Sequence, residues 1–277
     1  MTLALSARLL FAVVASLALG LSVQDTPLEL RFIDVGQGDA VLITLGGQAV
    51  LVDAGRGDDF VVVLAELQVD SLVAAIASHN HDDHIGGMDA VLAYYPVGRY
   101  FANGRPPQND NARAVERWLV ARRVAKVIGS GEILLADARI TVFPSTLDPA
   151  TASENNSSLG VLVERGAFRA LLTGDSESDE LIGWLAAGAI PDVDVLKAAH
   201  HGARNGVTPG WLDRTKPEVV VVSVGAGNGY GHPAPWALRY YQLNGRKVFR
   251  TDLDGTVIVK VDRDGRYQIQ ATGPVTR

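Results

Sequence analysis

The sequence predicts an α/β fold in which two mixed β-sheets pack face to face and carry helices on their outer faces. Short apolar runs bounded by Gly, Asp or Pro recur along the chain, a pattern typical of strands separated by turns. Helical patterns lie between these runs. The 277 residues are 47% hydrophobic and 20% charged, so the chain can bury a large core and is not disordered, collagen-like or coiled-coil.

Each predicted element follows from local pattern and punctuation. In the first half, runs rich in Val, Ile and Leu predict strands at residues 28–35, 40–44, 49–52, 72–78 and 139–143, and helical spacing predicts helices at 60–69, 85–95 and 112–124. In the second half, the same signals predict strands at 158–164, 168–172, 193–198 and 219–224, helices at 177–187 and 235–243, and three closing strands. Because no internal repeat or long linker interrupts the pattern, residues 25–277 are interpreted as one domain.

The N-terminal residues differ in composition from the rest of the chain. An uncharged stretch of 13 residues, 9–21, follows Arg8 and is too short to span a bilayer as a helix. Ala18 and Gly20 supply the small residues of a signal-peptidase site. Residues 1–20 are therefore predicted to be a signal peptide, and the protein is predicted to be exported to an extracellular or periplasmic space. An uncleaved N-terminal membrane anchor is the alternative.

Charge and cysteine content exclude several classes of site. The formal net charge is -6, which becomes -7 without residues 1–20, and this argues against a protein held on nucleic acid by bulk charge. Cysteine is absent, so disulfides, thiolate zinc sites and cysteine nucleophiles are excluded. Any metal must bind His and carboxylate side chains, and a polyanionic substrate would need a local positive charge such as a bound metal.

Potential metal ligands are concentrated in the hexapeptide His79-Asn80-His81-Asp82-Asp83-His84, directly after an apolar run. His79 and His81 point to the same side of an extended segment and can hold one ion. Asp83 and His84 follow in the turn into the next helix and could hold a second ion. The alternative is a polar surface turn, but three of the six histidines of the chain lie in these six residues.

The hexapeptide resembles the H-x-H-x-D-H signature of the metallo-β-lactamase fold superfamily. That resemblance implies a four-layer αββα sandwich of two mixed β-sheets, and it identifies Asp175, at the end of residues 171–175, with the bridging carboxylate of the family. Five further segments resemble a narrower group, the extracytoplasmic domain of ComEC-type competence proteins and its free-standing secreted relatives: residues 34–39, 155–159, 196–202, 230–233 and 250–252. The membrane-spanning competence segment of those proteins is missing, so a channel function is not implied.

Two ions with a shared carboxylate need about three further ligands each. The candidate metal ligands are His79, His81, Asp83, His84, Asp175, His201 and His232. One partition places His79, His81 and one of His200 or His201 at the first ion, and Asp83, His84 and His232 at the second. His201 is favoured as the ligand, and the adjacent His200 would then contact substrate or a ligand carboxylate. The family pattern usually has a His before the bridging Asp, and this chain has none between His84 and Asp175.

The predicted chemistry is metal-assisted hydrolysis, with Asp83, His200, Asn155 and Asn156 as candidate catalytic residues. Zinc is the first choice of metal, and manganese also suits oxygen-rich ligands. The ComEC-type resemblance implies a nuclease or phosphodiesterase with DNA as the leading substrate, but the negative charge predicts no stable nucleic-acid complex. Hydrolysis of a β-lactam, a thioester or a phosphorylcholine ester is the alternative, and a non-catalytic, metal-stabilised binding module is the second. The sequence does not indicate an oligomeric state.

Six further residues have weaker assignments. Asp53 could orient a ligand His or simply cap a strand end. Asp34 and Asp39 flank a glycine-rich turn, where carboxylates commonly cap backbone groups. The resemblance alone makes Lys197, Tyr230 and Asp252 candidate substrate contacts.

Overall fold

The computed structural model of the protein describes residues 26–148, 150–188 and 190–273. Fifteen strands and eight α-helices are found in these ranges. The strands are β1 Leu28–Phe32, β2 Val41–Leu45, β3 Gln48–Val52, β4 Leu72–Ile76, β5 Val97–Ala102, β6 Ala125–Ile128, β7 Gly131–Leu135, β8 Ala138–Phe143, β9 Gly160–Arg165, β10 Phe168–Leu172, β11 Val195–Lys197, β12 Val219–Val222, β13 Lys247–Arg250, β14 Val257–Val261 and β15 Tyr267–Ala271. The helices are α1 Phe60–Glu66, α2 Asp82–Ile85, α3 Met88–Tyr94, α4 Asp110–Arg122, α5 Ser178–Ala187, α6 Pro209–Thr215, α7 Pro235–Leu243 and α8 Thr251–Asp254.

The strands form two mixed sheets. The order in the first sheet is β15-β14-β1-β2-β3-β4-β5-β6, and the order in the second is β13-β12-β11-β10-β9-β8-β7. In the first sheet β3, β4, β5 and β6 are mutually parallel, and in the second β10, β11, β12 and β13 are mutually parallel. The predicted fold class, two mixed sheets in an α/β sandwich, is confirmed.

Alternation along the strands places the core between the sheets. Leu28, Leu30 and Phe32 of β1 are fully buried, whereas the intervening Glu29 and Arg31 are partly exposed. Their buried faces join those of the second sheet in one apolar cluster. The outer face of the first sheet packs against α1, α3 and α4. The outer face of the second sheet packs against α5, α6 and α7, which completes the four layers.

The sequence-based elements agree with the structure in outline and differ at several points. Strands β5, β6 and β7 and helix α6 were not predicted, because their short apolar runs are broken by charged and exposed residues. The helix predicted at 85–95 corresponds to α3, which begins only at Met88, because Gly86 and Gly87 separate it from the short helix α2, which was not predicted. A Cβ at Gly87 would lie 2.7 Å from the carbonyl oxygen of Ala54, so the backbones approach closely here.

The predicted signal peptide, residues 1–20, lies outside the described residues. Within the described ranges, no helix is long and apolar enough to cross a membrane.

Candidate metal centre

Five loops meet at one end of the sandwich, and each follows the carboxyl end of a strand. The loops after β3 and β4 carry Asp53 and the predicted hexapeptide, and those after β10, β11 and β12 carry Asp175, the His200-His201 pair and His232. Since β3 and β4 are parallel, as are β10, β11 and β12, their carboxyl ends lie at the same edge of each sheet. This arrangement collects polar side chains from both halves of the sequence at one site.

The loop after β4 orients two of its histidines through their Nδ1 atoms. His84 Nδ1 donates to Asp53 Oδ2 at 2.8 Å, and His79 Nδ1 donates to Ser78 Oγ at 3.1 Å. Asp53 also accepts hydrogen bonds from the backbone N–H and hydroxyl of Ser78, at 2.8 and 2.7 Å. Because Nδ1 is used in this way, the Nε2 atom of each histidine is the one available to bind a metal ion.

The loop after β11 orients His201 in the same manner. His201 Nδ1 donates to the carbonyl oxygen of Ser223 at 2.9 Å, so its Nε2 also faces the centre of the site. Both His200 and His201 have left-handed backbone conformations, with φ of 50° and 53°. A non-glycine residue pays about 1 kcal/mol or more for this conformation, so two in succession indicate a functional constraint on the loop.

Asp175 lies between two sets of potential ligands. Its Oδ1 atom is 3.2 Å from His84 Nε2 and 3.4 Å from His201 Nε2, and His201 Nε2 is also 3.4 Å from Asp83 Oδ2. Its Oδ2 atom faces the other way, 3.9 Å from His79 Nε2. The two oxygens of one carboxylate therefore address two different groups of side chains.

The second group consists of His79, His81 and residues of the opposite sheet. His79 Nε2 lies 3.0 Å from His81 Nδ1. His200 Nε2 lies 4.0 Å from Asp175 Oδ2 and 3.4 Å from the Asn155 amide nitrogen. His200 and Asn155 thus lie on the Oδ2 side of the Asp175 carboxylate. No histidine between His84 and Asp175 can contribute to this side, because the sequence has none there.

The spacing of these atoms fits divalent metal ions. Bonds of about 2.0–2.1 Å to a tetrahedral zinc ion place neighbouring ligand atoms about 3.3 Å apart. The distances of 3.2 and 3.4 Å among His84, His201, Asp83 and Asp175 agree with that value. The buried atoms His84 Nε2, His201 Nε2 and Asp175 Oδ1 have no hydrogen-bond partner among the described residues, as expected of atoms that bind a metal.

The charges of the site also favour cations. Asp39, Asp53 and Asp175 are buried and Asp83 is nearly so, whereas Lys197 is the ammonium that lies among them. Lys197 Nζ contacts Asp39 Oδ2 and donates to the carbonyl oxygen of Gly174 at 3.0 Å. Four carboxylates in or near the protein interior beside one ammonium leave an excess of negative charge that must be neutralised by protons or metal ions.

In the absence of metal, the histidine pKa values respond to these carboxylates. Burial lowers the pKa of His84, but the charges of Asp175, Asp53 and Asp39 outweigh burial and raise it to about 10. The same balance of burial against Asp175 and Asp39 raises the pKa of His201 well above its usual value. Protons thus take the place of cations at these nitrogens, and metal binding must displace them.

His79 shows the opposite balance. Burial, followed by the charge of His84, holds its pKa well below the usual value. Asp175 and Asp39 are desolvated by burial, yet the surrounding cationic side chains hold both pKa values below the usual range, so both are carboxylates.

The site opens into a cavity of about 370 Å³, large enough for a small molecule or one segment of a polymer. Among the described residues, its lining combines the candidate ligands with polar and cationic groups: Gln37, Arg56, His81, Asp82, Asp83, Asn155, Asp175, His200, His201, Tyr230 and His232.

The structure brings five of the seven candidate ligands, His79, Asp83, His84, Asp175 and His201, into groups that could hold a metal ion, and it changes the partition proposed from sequence. His81 is in none of these groups and is placed beside them by its contact with His79, 3.0 Å between Nδ1 and Nε2. His201, rather than His232, lies with Asp83 and His84. His232 stands on the cavity wall with its ring centre 5.4 Å from that of His200, and no group of potential metal ligands found among the described residues includes it. His200 is on the same side of Asp175 as His79 and His81.

The two adjacent asparagines have different environments. Asn155 lines the cavity and donates to Glu177 Oε1 at 3.1 Å. Asn156 is buried, accepts from the backbone N–H of Glu177 at 3.0 Å, and donates to Glu177 Oε2 at 3.3 Å. The prediction of Asn156 as a catalytic residue is therefore corrected: its amide binds Glu177 and fixes the loop that carries Asp175.

Some of the weaker sequence-based assignments agree with the structure and others do not. Asp53 orients His84 and also fixes Ser78, so both suggested roles of Asp53 are present. Lys197 is buried under the carboxylates and is not a substrate contact, and Asp252 is paired with Arg250 at 2.6 Å. Asp34 does cap its turn, accepting from Gly36 N–H at 3.0 Å.

Arg56 and Glu177 belong to the site but were not recognised from the sequence, and Asp39 was noted there as a residue of a glycine-rich turn. Asp39 Oδ1 is 3.3 Å from His201 Nδ1, which makes Asp39 part of the ligand-supporting network rather than only a turn former. Gly38 before it has φ of 144°, and a Cβ there would lie 2.3 Å from the Asp83 carbonyl oxygen. The sequence signal for Asp39 was its position next to a glycine, whereas no local pattern marks Arg56 or Glu177.

Comparisons with known proteins agree with this geometry. A sequence model of the metallo-beta-lactamase superfamily matches residues 33–225. The chain is 27% identical over 253 residues to ComE operon protein 3 of Bacillus subtilis (83% of this chain, 32% of that protein) and 29% identical over 255 residues to Recombination protein 2 of Haemophilus influenzae (87% and 30%). The chain therefore spans about a third of the length of these curated relatives.

Solved structures show the same fold at low identity. YhfI of Bacillus subtilis, a metallo-beta-lactamase fold protein, matches with a TM-score of 0.55 and 13% identity over 88% of this chain and 99% of that one. CmlA, a diiron beta-hydroxylase from Streptomyces venezuelae, matches with a TM-score of 0.57 and 18% identity over 86% of this chain and 54% of that one. Since the family match covers more than half of the sequence and the architecture agrees, the chain belongs to the metallo-beta-lactamase superfamily.

Proposed function

We propose that the protein is an exported phosphodiesterase that uses two divalent metal ions to cleave DNA. The observation that carries this proposal is the position of Asp175, whose two oxygens face two separate groups of potential ligands at the floor of an open cavity. The fold of this superfamily typically holds two divalent ions, which is consistent with two such groups.

The ligands are assigned from the measured spacings. Asp83, His84 and His201 would hold one ion together with Asp175 Oδ1. His79 and His81 would hold the other with Asp175 Oδ2, and His200 stands beside that group. His232 would contact the substrate from the wall of the cavity. Zinc fits the imidazole-rich spacing, and manganese remains compatible with the carboxylates.

Two bound divalent ions would supply Lewis acidity toward a phosphodiester and lower the pKa of water. The side chains of the cavity then account for the remaining steps. Asp83, which is partly exposed on the wall, accepts a hydrogen bond from the attacking water and orients it. Asn155 would donate to a phosphate oxygen, and His200 would carry the proton that the attacking water gives up to the leaving oxygen as the bond between that oxygen and phosphorus breaks.

The substrate assignment is supported by the relatives. Two curated relatives carry names that refer to the com operon and to recombination, and a third, 28% identical over 241 residues, is Competence protein ComA of Neisseria gonorrhoeae. Processes of that kind involve DNA, and the geometry of two ions is suited to phosphodiester cleavage. Because the net charge of the chain is -6, a polyanion has to be attracted locally, by the metal centre and the nearby arginines.

The test is a substrate panel on the purified chain loaded with zinc or manganese. The panel contains a single-stranded oligonucleotide, duplex DNA, RNA, bis(p-nitrophenyl) phosphate, a β-lactam and a thioester, with metal content measured on the same samples. We expect close to two ions per chain and hydrolysis of phosphodiesters that chelator abolishes and added metal restores. Asp175→Asn should lose both metal and turnover, whereas Asp192→Asn, a matched control at an exposed position, should retain both.

Two results would overturn the proposal. Hydrolysis of the β-lactam or thioester without phosphodiester cleavage under either metal would assign the protein to the alternative hydrolases. Stoichiometric metal binding without turnover of any substrate would indicate a metal-stabilised binding module.

A further inference from the structure

We propose that a single strand of DNA crosses the metal centre between two arginine–aromatic pairs, Arg56 with Tyr230 and Arg204 with Trp236. This inference rests on the proposed phosphodiesterase function and adds to it the form of the substrate and the surface that holds it. The two pairs lie outside the candidate metal ligands.

The first pair stands on the wall of the metal-centre cavity. Arg56 Nη2 donates to Tyr230 Oη at 3.4 Å, and both residues line the cavity. Tyr230 is 60% exposed, and its ring lies nearly parallel to the His232 ring, with 6.0 Å between their centres and 18° between their planes. A guanidinium and an exposed ring face are thus presented together at one side of the site.

The second pair lies beyond His200 and His232. The guanidinium carbon of Arg204 is 5.8 Å from the centre of the Trp236 ring. Trp236, which is 40% exposed, stacks on Tyr240 one turn later in α7, with 5.2 Å between ring centres and 6° between planes. Tyr240 and the Arg204 guanidinium hold the Trp236 ring in place, and the exposed part of Trp236 is the aromatic surface of this pair.

A second cavity leads from the metal-centre cavity to Arg204. Its volume is about 540 Å³, and it shares His200 and His232 with the cavity of the metal centre. The other described residues of its lining are Ser178, Ala203, Arg204 and Asn205, and none of them is acidic. A continuous surface, here called the groove, therefore runs from Arg56 past the metal centre to Arg204.

This surface has the chemistry of a single-strand site. Guanidinium groups attract phosphates along the backbone, and exposed aromatic faces stack on unpaired bases. The bases of a duplex are stacked on each other and cannot reach such faces. A single strand is therefore favoured over a duplex.

The experiment compares groove variants with a matched control. Trp236→Ala and Arg204→Ala remove one pair, and Trp118→Ala removes a pair of similar geometry on the other sheet, where Arg122 lies 5.6 Å from the Trp118 ring. The readout is kcat/KM for a 12-nucleotide single strand divided by kcat/KM for bis(p-nitrophenyl) phosphate. We expect Trp236→Ala to lower this ratio about 5- to 100-fold through KM, the effect of losing one stacked base, and Trp118→Ala to leave it unaltered.

Strand binding is measured separately by fluorescence anisotropy, with and without chelator. Arg204→Ala should reduce the slope of log K against log salt by about 0.7, the value for one phosphate contact to a single strand. If the groove variants change the ratio and the binding no more than Trp118→Ala does, the groove is refuted while phosphodiester hydrolysis stands. Equal kcat/KM for duplex and single strand would also refute it. If no phosphodiester is cleaved but Trp236→Ala still weakens strand binding, the groove stands and the proposed function fails.

Discussion

Replacing Asp53 by asparagine should weaken the binding of one metal ion much more than the other. Asp53 Oδ2 accepts the hydrogen bond of His84 Nδ1 at 2.8 Å, and the two Asp53 oxygens also accept from the backbone and hydroxyl of Ser78. An asparagine in the same position has one oxygen, so its amide NH₂ group cannot accept from His84. With the amide oxygen held by the Ser78 backbone N–H, as Asp53 Oδ1 is, the NH₂ group faces His84. His84 then loses the partner that fixes its ring, while His79 keeps its own bond to Ser78.

The size of the effect follows from these contacts. Loss of the carboxylate behind a ligand His typically weakens metal affinity about 10- to 100-fold. In the metal-free protein, one buried donor left without a partner costs about 1–3 kcal/mol. Asparagine is preferable to alanine because Asp53 has φ of 56°, a left-handed conformation that asparagine tolerates and alanine does not.

The assay is a zinc titration against a competing chelator, together with urea unfolding of the metal-free chain. We expect Asp53→Asn to show one site weakened about 10- to 100-fold and the other within a few fold of the parent. Asp34→Asn is the control, since Asp34 also follows a strand but its carboxylate caps its own turn at Gly36. Normal binding of both ions, or equal weakening of both, would refute the assignment of Asp53 to His84.

Three further predictions concern the centre and its support. Asp175→Ala should lose both ions and more activity than His79→Ala, because Asp175 faces both ligand groups. Elemental analysis together with the turnover assay checks this, and retention of both ions would exclude a bridging role. Gly38→Ala should reduce metal content and lower the thermal unfolding midpoint, because its Cβ would lie 2.3 Å from the Asp83 carbonyl oxygen; an unchanged metal content would show that the loop can move. Burial raises the pKa of Glu180 from 4.5 to about 8, so the folded protein binds an extra proton between these values and loses stability as pH rises through this window. Glu180→Gln should therefore flatten the pH dependence of the free energy of unfolding, and above pH 8 that free energy should exceed the parent's by at most ~5 kcal/mol. An unaltered slope would contradict the burial argument.

Much of the fold could be predicted from patterns that act locally. Alternation in β1 and the apolar runs of β3, β4, β10, β11 and β12 mark strands, because each face of a sheet has to be buried or exposed as a unit. The elements that were missed, such as β6 with its exposed residues and the seven-residue α6, have weak periodicity. Their pairing in the sheet or packing on it decides their structure.

The candidate metal-binding hexapeptide could likewise be recognised from the sequence, because three histidines and two aspartates within six residues are typical of a metal site. His79 and His81 were expected to share an ion from their spacing alone, and their facing nitrogens are 3.0 Å apart. Asp175 needed the family resemblance, since a single aspartate after a strand carries no local signal of its own.

The choice between neighbouring or distant ligands was decided by the tertiary structure. The sequence could not separate His200 from His201, because both follow β11 directly and their orientations depend on two successive left-handed backbone conformations. It also could not show that His201 joins Asp83 and His84 while His232 stands apart on the wall. These relations depend on how loops of the two sheets meet.

By itself, then, the sequence determined the fold class, the location of the candidate metal-binding segment and the kind of ligand atoms available, because strand alternation and clustered histidines act over a few residues. Only the tertiary structure decided that Asp39 and Lys197 lie beneath the centre, that Asp53 supports His84, and that arginine–aromatic pairs flank the cavity. The physical reason is the packing of two sheets, which brings the carboxyl ends of strands from both halves of the chain to one edge and sets the distances among side chains that no local pattern relates.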